Sequence, residues 1–119
     1  MTRRWLLVAL AAALLVVTAR LGFAEPLRRV TAKRVCMVND TTFPKDQIPV
    51  AVDGKTYFGC CEMCKGRLAQ DATVRRATDP VSGKPVDKAT AIIGAKPDGR
   101  VLYFESEKTF AAYQKQKHS

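Results

Sequence analysis

The chain has 119 residues, of which 47% are hydrophobic and 26% charged, and its formal net charge is +9. A chain of this length can form one small domain or two very small ones, but not several large domains. Small domains bury proportionally little surface, so a metal ion or a disulfide is expected to stabilise the fold. The basic residues are scattered in short pairs, which is typical of a solvated surface and argues against nucleic acid as a partner.

Residues 1–24 have the pattern of an export signal, with basic Arg3 and Arg4, an apolar stretch, and small residues that predict cleavage after Ala24. An uncleaved anchor is the alternative, but the apolar run is shorter than the roughly 20 residues of a spanning helix, and Arg20 interrupts it. The paired arginines leave open the general or the twin-arginine export route. The sequence therefore predicts a periplasmic or secreted protein that has no membrane contact after cleavage.

The chain after the signal begins with a predicted flexible leader. Residues 25–34 carry a proline and four basic side chains with little apolar periodicity. A first folded unit is predicted over residues 35–78. Within it, an Asp-Gly pair separates two β-prone runs at 48–52 and 55–58, which is a strong signal for a β-hairpin with a two-residue turn. A helix is predicted next, from 61 to about 70.

Three of the four cysteines follow this hairpin, in the segment 54–64, which reads GKTYFGCCEMC. Residues four apart share one face of a helix, so Cys60 and Cys64 are expected on adjoining turns of one element. The hairpin would return them to Cys36, the fourth cysteine. Clustered thiolates are typical ligands of soft or borderline ions such as Cu(I) and Zn(II).

This arrangement resembles the TRASH and YHS family of small metal-binding domains. One cysteine, a gap of about two dozen residues, and Cys-x-x-x-Cys preceded by Gly-Lys-Thr-Tyr match over roughly residues 33–70. The resemblance implies a heavy-metal-binding module of knuckle, β-hairpin and helix, used in metal sensing, trafficking and resistance. It also implies that Cys36, Cys60 and Cys64 are the ligands. Cys61 stands where YHS motifs usually have serine, which makes it an optional further ligand.

A second unit is predicted over residues 79–119, because the segment 98–109 repeats the turn, the aromatic strand and one glutamate of the segment 53–64. The sequence around residue 80 also resembles the opening of YHS domains. The second unit has no cysteine, so it is predicted to pack against the first unit and to bind no metal. The positions that correspond to the ligands are Ser82, Glu105 and Thr109.

Disulfides are the main alternative to a metal, because four cysteines in a short exported chain are by default a disulfide framework. Their clustering argues against this default. A bridge between the adjacent Cys60 and Cys61 is strained, and bridges from either to Cys64 close very short loops. One bridge from Cys36 to the cluster stays open as an alternative. Catalytic redox chemistry lacks a thioredoxin-like βαβ setting.

The number of thiolates bears on which ion is expected. Three suit Cu(I) and four favour tetrahedral Zn(II), so one transition-metal ion of either kind is expected. Met37 and Met63 flank the ligands, where each is either a thioether ligand or a gap-filling side chain. His118 lies in a polar tail and is interpreted as a bystander. No Ser/His/Asp set, phosphate loop or carboxylate pair is present, which predicts that the protein is not an enzyme.

Together these patterns predict an α+β protein made of two small treble-clef or zinc-ribbon-like units that pack together. The predicted function is heavy-metal binding outside the cytoplasm, in buffering, trafficking or resistance, with a metal-donating or metal-receiving protein as partner. The alternative is a structural or interaction module in which a zinc ion or a disulfide only stabilises the fold.

Overall fold

The computed structural model describes residues 26–118, with side chains described up to residue 116, so the predicted export signal lies outside the described residues. The described chain has the predicted α+β architecture, with short antiparallel sheets and two α-helices. The elements are β1 (Arg28–Val30), β2 (Val35–Cys36), β3 (Thr41–Thr42), β4 (Ile48–Val52), β5 (Lys55–Gly59), α1 (Glu62–Gln70), β6 (Arg76–Thr78), β7 (Pro85–Asp87), β8 (Ile92–Ala95), β9 (Val101–Phe104) and α2 (Glu107–His118). Neither helix of this described part is long and apolar enough to cross a membrane.

The first hairpin has the predicted position and turn. Strands β4 and β5 pair antiparallel, with Val52 opposite Lys55. The two turn residues Asp53 and Gly54 have φ values of 49° and 77°, as a two-residue hairpin turn with left-handed residues requires. Helix α1 follows β5 after two residues and contacts both strands. Helix α1 therefore packs against the sheet that β4 and β5 form.

A second hairpin and helix follow in the predicted order. Strands β8 and β9 pair antiparallel and lead into α2. Ser106 marks the start of this helix as predicted, since its hydroxyl oxygen accepts a hydrogen bond from the Thr109 N–H at 3.3 Å. The Ser82 hydroxyl donates to Glu105 at 3.1 Å, so the two positions that correspond to Cys36 and Cys60 lie together. In this unit a hydrogen bond from a hydroxyl to a carboxylate occupies the place of two of the thiols.

The leader differs from its prediction. Residues 25–34 were predicted to be flexible, but β1 pairs with β8 along three residues and makes a three-stranded sheet in the order β1-β8-β9. Leu27 is buried, and its backbone N–H and C=O both bond the side-chain amide of Gln114 at 2.9 and 2.8 Å. A strand of three residues is too short to show the alternation of apolar and polar residues that marks a strand in a sequence. Its partner is also more than 60 residues away, so no local pattern could reveal the pairing.

One apolar core connects the two halves of the chain. Five of its buried residues come from the first predicted unit and four from the second. They are Val35, Met37, Val50, Tyr57, Leu68, Ile93, Ala95, Val101 and Tyr103. Neither half has enough of these side chains to form a core of its own, so the halves are expected to fold together.

Candidate metal centre

Three cysteines form a compact cluster: Cys36 ends β2, Cys60 lies in the bend between β5 and α1, and Cys64 lies in the first turn of α1. Cys60 and Cys64 therefore do not lie on one helix, as the sequence analysis expected, because α1 begins only at Glu62. The Sγ atoms of Cys36, Cys60 and Cys64 all lie within 4.8 Å of one another, and those of Cys60 and Cys64 are 3.6 Å apart. A metal–sulfur bond of about 2.3 Å gives sulfur–sulfur separations of about 3.8 to 4.0 Å in tetrahedral or trigonal geometry. All four cysteines are free thiols in this structure. The spacing therefore suits a single ion bound by three sulfur atoms.

Cys36 provides the innermost sulfur. It ends β2, is 0% exposed, and is followed by a tight turn at Asp40, where φ is 52°. Burial opposes ionisation of this thiol, but the backbone N–H groups of Asn39, Val38 and Cys60 stabilise the thiolate and bring its pKa below the ordinary value. Such N–H groups around a cysteine sulfur favour the anionic form that binds metals.

Cys60 and Cys64 reach Cys36 from the end of β5 and the first turn of α1. Their approach depends on Gly59, because a Cβ atom there would lie 3.0 Å from the Cβ atom of Cys64 and 3.2 Å from the backbone N of Lys65. A side chain at this position would push the helix away from the strand. Gly59 thus allows the close contact of strand and helix that brings the two thiols together.

The thiols influence one another's ionisation. Burial, together with the neighbouring Cys60, Cys61 and Cys36 thiols, raises the pKa of Cys64 to about 12. The hydrogen bond with Cys36, followed by burial, also raises the pKa of Cys60. Like charges this close cannot all ionise without a cation. Binding of a metal ion is therefore expected to release protons from these two thiols.

Cys61 lies on the outer side of this cluster and is not one of the three clustered thiols. It is exposed and is the residue just before α1, where its carbonyl oxygen accepts the Lys65 N–H at 3.0 Å. The N–H groups of Cys64 and Met63 lie near its sulfur and lower its pKa, although neither forms an aligned capping hydrogen bond. Of the four predicted ligands, three are brought together and the fourth is their exposed neighbour.

The two methionines next to the ligands have opposite environments. Met37 is 0% exposed and belongs to the shared core, as expected of a gap-filling side chain. Met63 is 78% exposed and is the one large hydrophobic side chain that is exposed in the described part of the chain. Cys64 and Leu68 form the buried face of α1 instead.

Two polar residues near the cluster were missed by the sequence analysis. The Asn39 side-chain amide donates to the Cys60 sulfur at 3.5 Å. Lys88, from the second half, is 5% exposed, and its ammonium group donates to the Met37 carbonyl oxygen at 2.7 Å and to Asp40 at 2.9 Å. The sequence gives a weak indication that Asn39 lies near the site, because it follows Cys36 in a turn-rich segment. The sequence gives no such indication for Lys88, since its partners are about 50 residues away along the chain.

The Lys88 contacts join the second half to the turn that holds Cys36. Asp40 also accepts a hydrogen bond from the Tyr103 hydroxyl at 2.8 Å, and the Lys88 ammonium lies 5.1 Å from the centre of that ring. Burial and the Asp40 carboxylate raise the pKa of Tyr103 above its usual range, so this phenol stays a donor. The turn that follows Cys36 is therefore held by a polar network in which Lys88 and Tyr103 are buried and Asp40 is partly exposed.

Replacing Lys88 by methionine is expected to lower the free energy of unfolding by about 1 to 3 kcal/mol, because a buried carbonyl oxygen loses its donor. Lys55→Met is the matched control. Lys55 also pairs with an aspartate, Asp87, at 2.7 Å, but about half of its side chain is exposed, so a loss of no more than about 1 kcal/mol is expected. Urea denaturation of the two variants measures the difference, and equal losses would contradict a special role for Lys88.

Comparison with protein-family models, with curated proteins and with solved structures found no match for this chain. Its class is defined by its own fold and site, as a small α+β protein with a three-cysteine cluster that could bind a metal ion. Membership of the TRASH and YHS family stays a prediction.

Proposed function

We propose that this chain is an exported heavy-metal-binding protein that holds one Cu(I) or Zn(II) ion through Cys36, Cys60 and Cys64. The observation that carries the proposal is the cluster of three free thiols within 4.8 Å. Export is supported by the pattern of residues 1–24, and a TRASH-like or YHS-like role by the motif at 33–70. The protein buffers its ion or exchanges it with a donor or acceptor protein, without catalysis.

Exchange is favoured over a purely structural role by the position of the site. Cys60 is exposed, so one ligand is accessible to an incoming molecule, whereas Cys36 and Cys64 are buried. The nine residues of the shared apolar core include none of the three cysteines, although Cys36 and Cys64 are buried beside it. A fold with its own core does not need the ion to remain folded, in contrast to small domains that unfold without zinc.

The number of sulfur ligands bears on the choice of ion. Three thiolates satisfy Cu(I), which is soft and binds readily to sulfur at low coordination number. Zn(II) takes four ligands, so it would need a fourth from Cys61 or from water. Both ions remain within the proposal, and Cu(I) requires the smaller change in the arrangement of the cysteines.

The proposal predicts that the ion can be removed without unfolding the protein. The full chain is loaded with one equivalent of Cu(I) or Zn(II), a chelator is added, and metal content and circular dichroism are followed together. We expect the metal to leave while the spectrum keeps its helix and strand signals, because the core does not include the ligands. Collapse of the spectrum in step with metal loss would instead identify a structural ion, and failure to bind either ion would refute the proposal.

A further inference from the structure

Two thiols of the cluster lie close enough to react with each other. The Sγ atoms of Cys60 and Cys64 are 3.6 Å apart, and both cysteines are free thiols. The sulfur atoms of a disulfide are about 2.05 Å apart, so these two have to approach each other by only about 1.5 Å. Cys60 lies in the bend before α1, and Cys64 lies in the first turn of that helix. A bridge between them would therefore lie within one short segment of the chain.

The two thiols differ in their access to solvent. Cys60 is exposed, whereas Cys64 is buried and only 7% exposed. A molecule that carries a disulfide can therefore reach the Cys60 sulfur much more easily than the Cys64 sulfur. The Asn39 side-chain amide donates to the Cys60 sulfur at 3.5 Å, which helps to keep this sulfur beside the helix. The arrangement makes Cys60 the thiol that is attacked from outside and Cys64 the thiol that reacts with it next.

We propose that Cys60 and Cys64 are a site of reversible disulfide formation, and that the bridge prevents metal binding by the cluster. This inference rests on the proposed function, because the bridge would remove two of the three sulfur ligands of the ion. Cys36 would remain as the one thiol of the cluster, and a single sulfur ligand is far fewer than Cu(I) or Zn(II) needs. The site would bind its ion when reduced and lose that ability when oxidised.

The bridge forms by exchange with an external disulfide, which belongs either to a small molecule or to another protein. The Cys60 sulfur, after losing its proton, attacks one sulfur of that disulfide, whose S–S bond breaks and whose other sulfur leaves and becomes a thiol. The Cys64 sulfur then loses its proton, attacks the Cys60 sulfur and releases the second external thiol. The two cysteines lose two electrons and two protons, and the external disulfide gains them. A dithiol reverses both steps.

The short loop favours a reversible bridge over a structural one. Three residues separate Cys60 from Cys64, so the bridge would constrain little of the unfolded chain. Exposed disulfides are typically easier to reduce than buried structural ones. The nine residues of the shared apolar core include neither cysteine, so the fold is expected to persist in both states. The bridge would therefore change what the cluster binds without changing the rest of the protein.

The experiment compares the full chain with three variants that each lack one cysteine. Metal-free protein is incubated with glutathione disulfide, the remaining thiols are alkylated, and peptide mass spectrometry locates each disulfide. Cys64→Ser removes the thiol that closes the bridge, and Cys36→Ser removes the buried alternative partner. Cys61→Ser is the matched control, because it removes an exposed thiol next to Cys60 that is not part of the cluster.

We expect the bridge between Cys60 and Cys64 in the full chain, in Cys36→Ser and in Cys61→Ser. Cys64→Ser should instead stop at a glutathione adduct on Cys60. Competition with a chromogenic chelator then measures the affinity of the reduced and the oxidised full chain for Cu(I), and for Zn(II) in a parallel series. Oxidation should lower the affinity more than about 100-fold, since the loss of residues that only support a ligand already lowers it about 10- to 100-fold. Reduction with dithiothreitol should restore it.

The outcomes separate this inference from the proposed function. A bridge that uses Cys36 or Cys61 in place of the predicted pair, or the absence of any bridge, would overturn the inference and leave the proposed function intact. Equal metal affinities of the reduced and the oxidised chain would also overturn it. Failure of the reduced chain to bind either ion would refute the proposed function, and with it the effect of the bridge on metal binding.

Discussion

Removal of residues 79–119 is expected to leave residues 25–78 without a stable fold, although all four cysteines remain. The deletion takes away four of the nine buried side chains in the shared core and uncovers Val35 and Met37, which are 0% exposed. Each large apolar side chain contributes roughly 1.5 to 3 kcal/mol when fully buried. A small domain has only about 5 to 15 kcal/mol of stability in total, so the loss exceeds what the fragment can tolerate.

The same deletion should weaken metal binding without removing a thiolate. It breaks the pairing of β1 with β8 and removes Lys88, which donates to the Met37 carbonyl oxygen and to Asp40 in the turn after Cys36. Binding of the ion would then be coupled to folding of the fragment. The free energy needed for folding is taken from the free energy of binding, so the measured affinity falls. Thermal melting and metal titration of residues 25–78 and 25–119 test this expectation. Equal melting temperatures and equal affinities would show that the two halves are independent.

Cys36→Ser is expected to reduce metal affinity by more than roughly 100-fold, because even residues that only support a ligand contribute about 10- to 100-fold. Cys36 provides the most deeply buried sulfur, and it is the one of the three clustered thiols with a pKa below the ordinary value. A hydroxyl is a poor ligand for soft ions. The variant should still fold, since serine is smaller than cysteine and its hydroxyl can bond the neighbouring backbone.

The matched control for this experiment is Cys61→Ser, which makes the same chemical change at an exposed position. Competition with a chelator of known affinity measures both variants against the unaltered chain. We expect a large loss of metal affinity for Cys36→Ser and a small loss for Cys61→Ser. The reverse order would mean that the cluster of Cys36, Cys60 and Cys64 does not hold the ion.

Local patterns were enough to predict most of the elements that surround the site. The Asp53-Gly54 turn fixed the first hairpin, because a pair with positive φ at both residues admits few other structures. Helix α1 and the position of Ser106 at the start of α2 were predicted for similar reasons. Each of these signals depends on residues within a few positions of one another. Local steric restrictions and helix capping determine such elements whatever their position in the folded protein.

Contacts between distant residues were not predictable in this way. The pairing of β1 with β8 and the bond from Lys88 to Met37 each join positions about 50 or more residues apart. A basic strand of three residues and one lysine look like solvated surface in the sequence, because nothing nearby indicates that they will be covered. Burial of these residues is decided by how the two halves pack. The sequence thus predicted the three cysteines that the structure brings together, but not the polar residues that lie beside them.

The central claim is that Cys36, Cys60 and Cys64 together bind a single ion. It is tested most directly by metal analysis and X-ray absorption of the full chain after saturation and removal of loosely bound metal. The account predicts one ion per chain, surrounded by sulfur at about 2.3 Å with three protein thiolates, and loss of that ion in Cys36→Ser and Cys64→Ser. Two ions per chain that persist in both variants, or an ion surrounded mainly by nitrogen and oxygen, would contradict it.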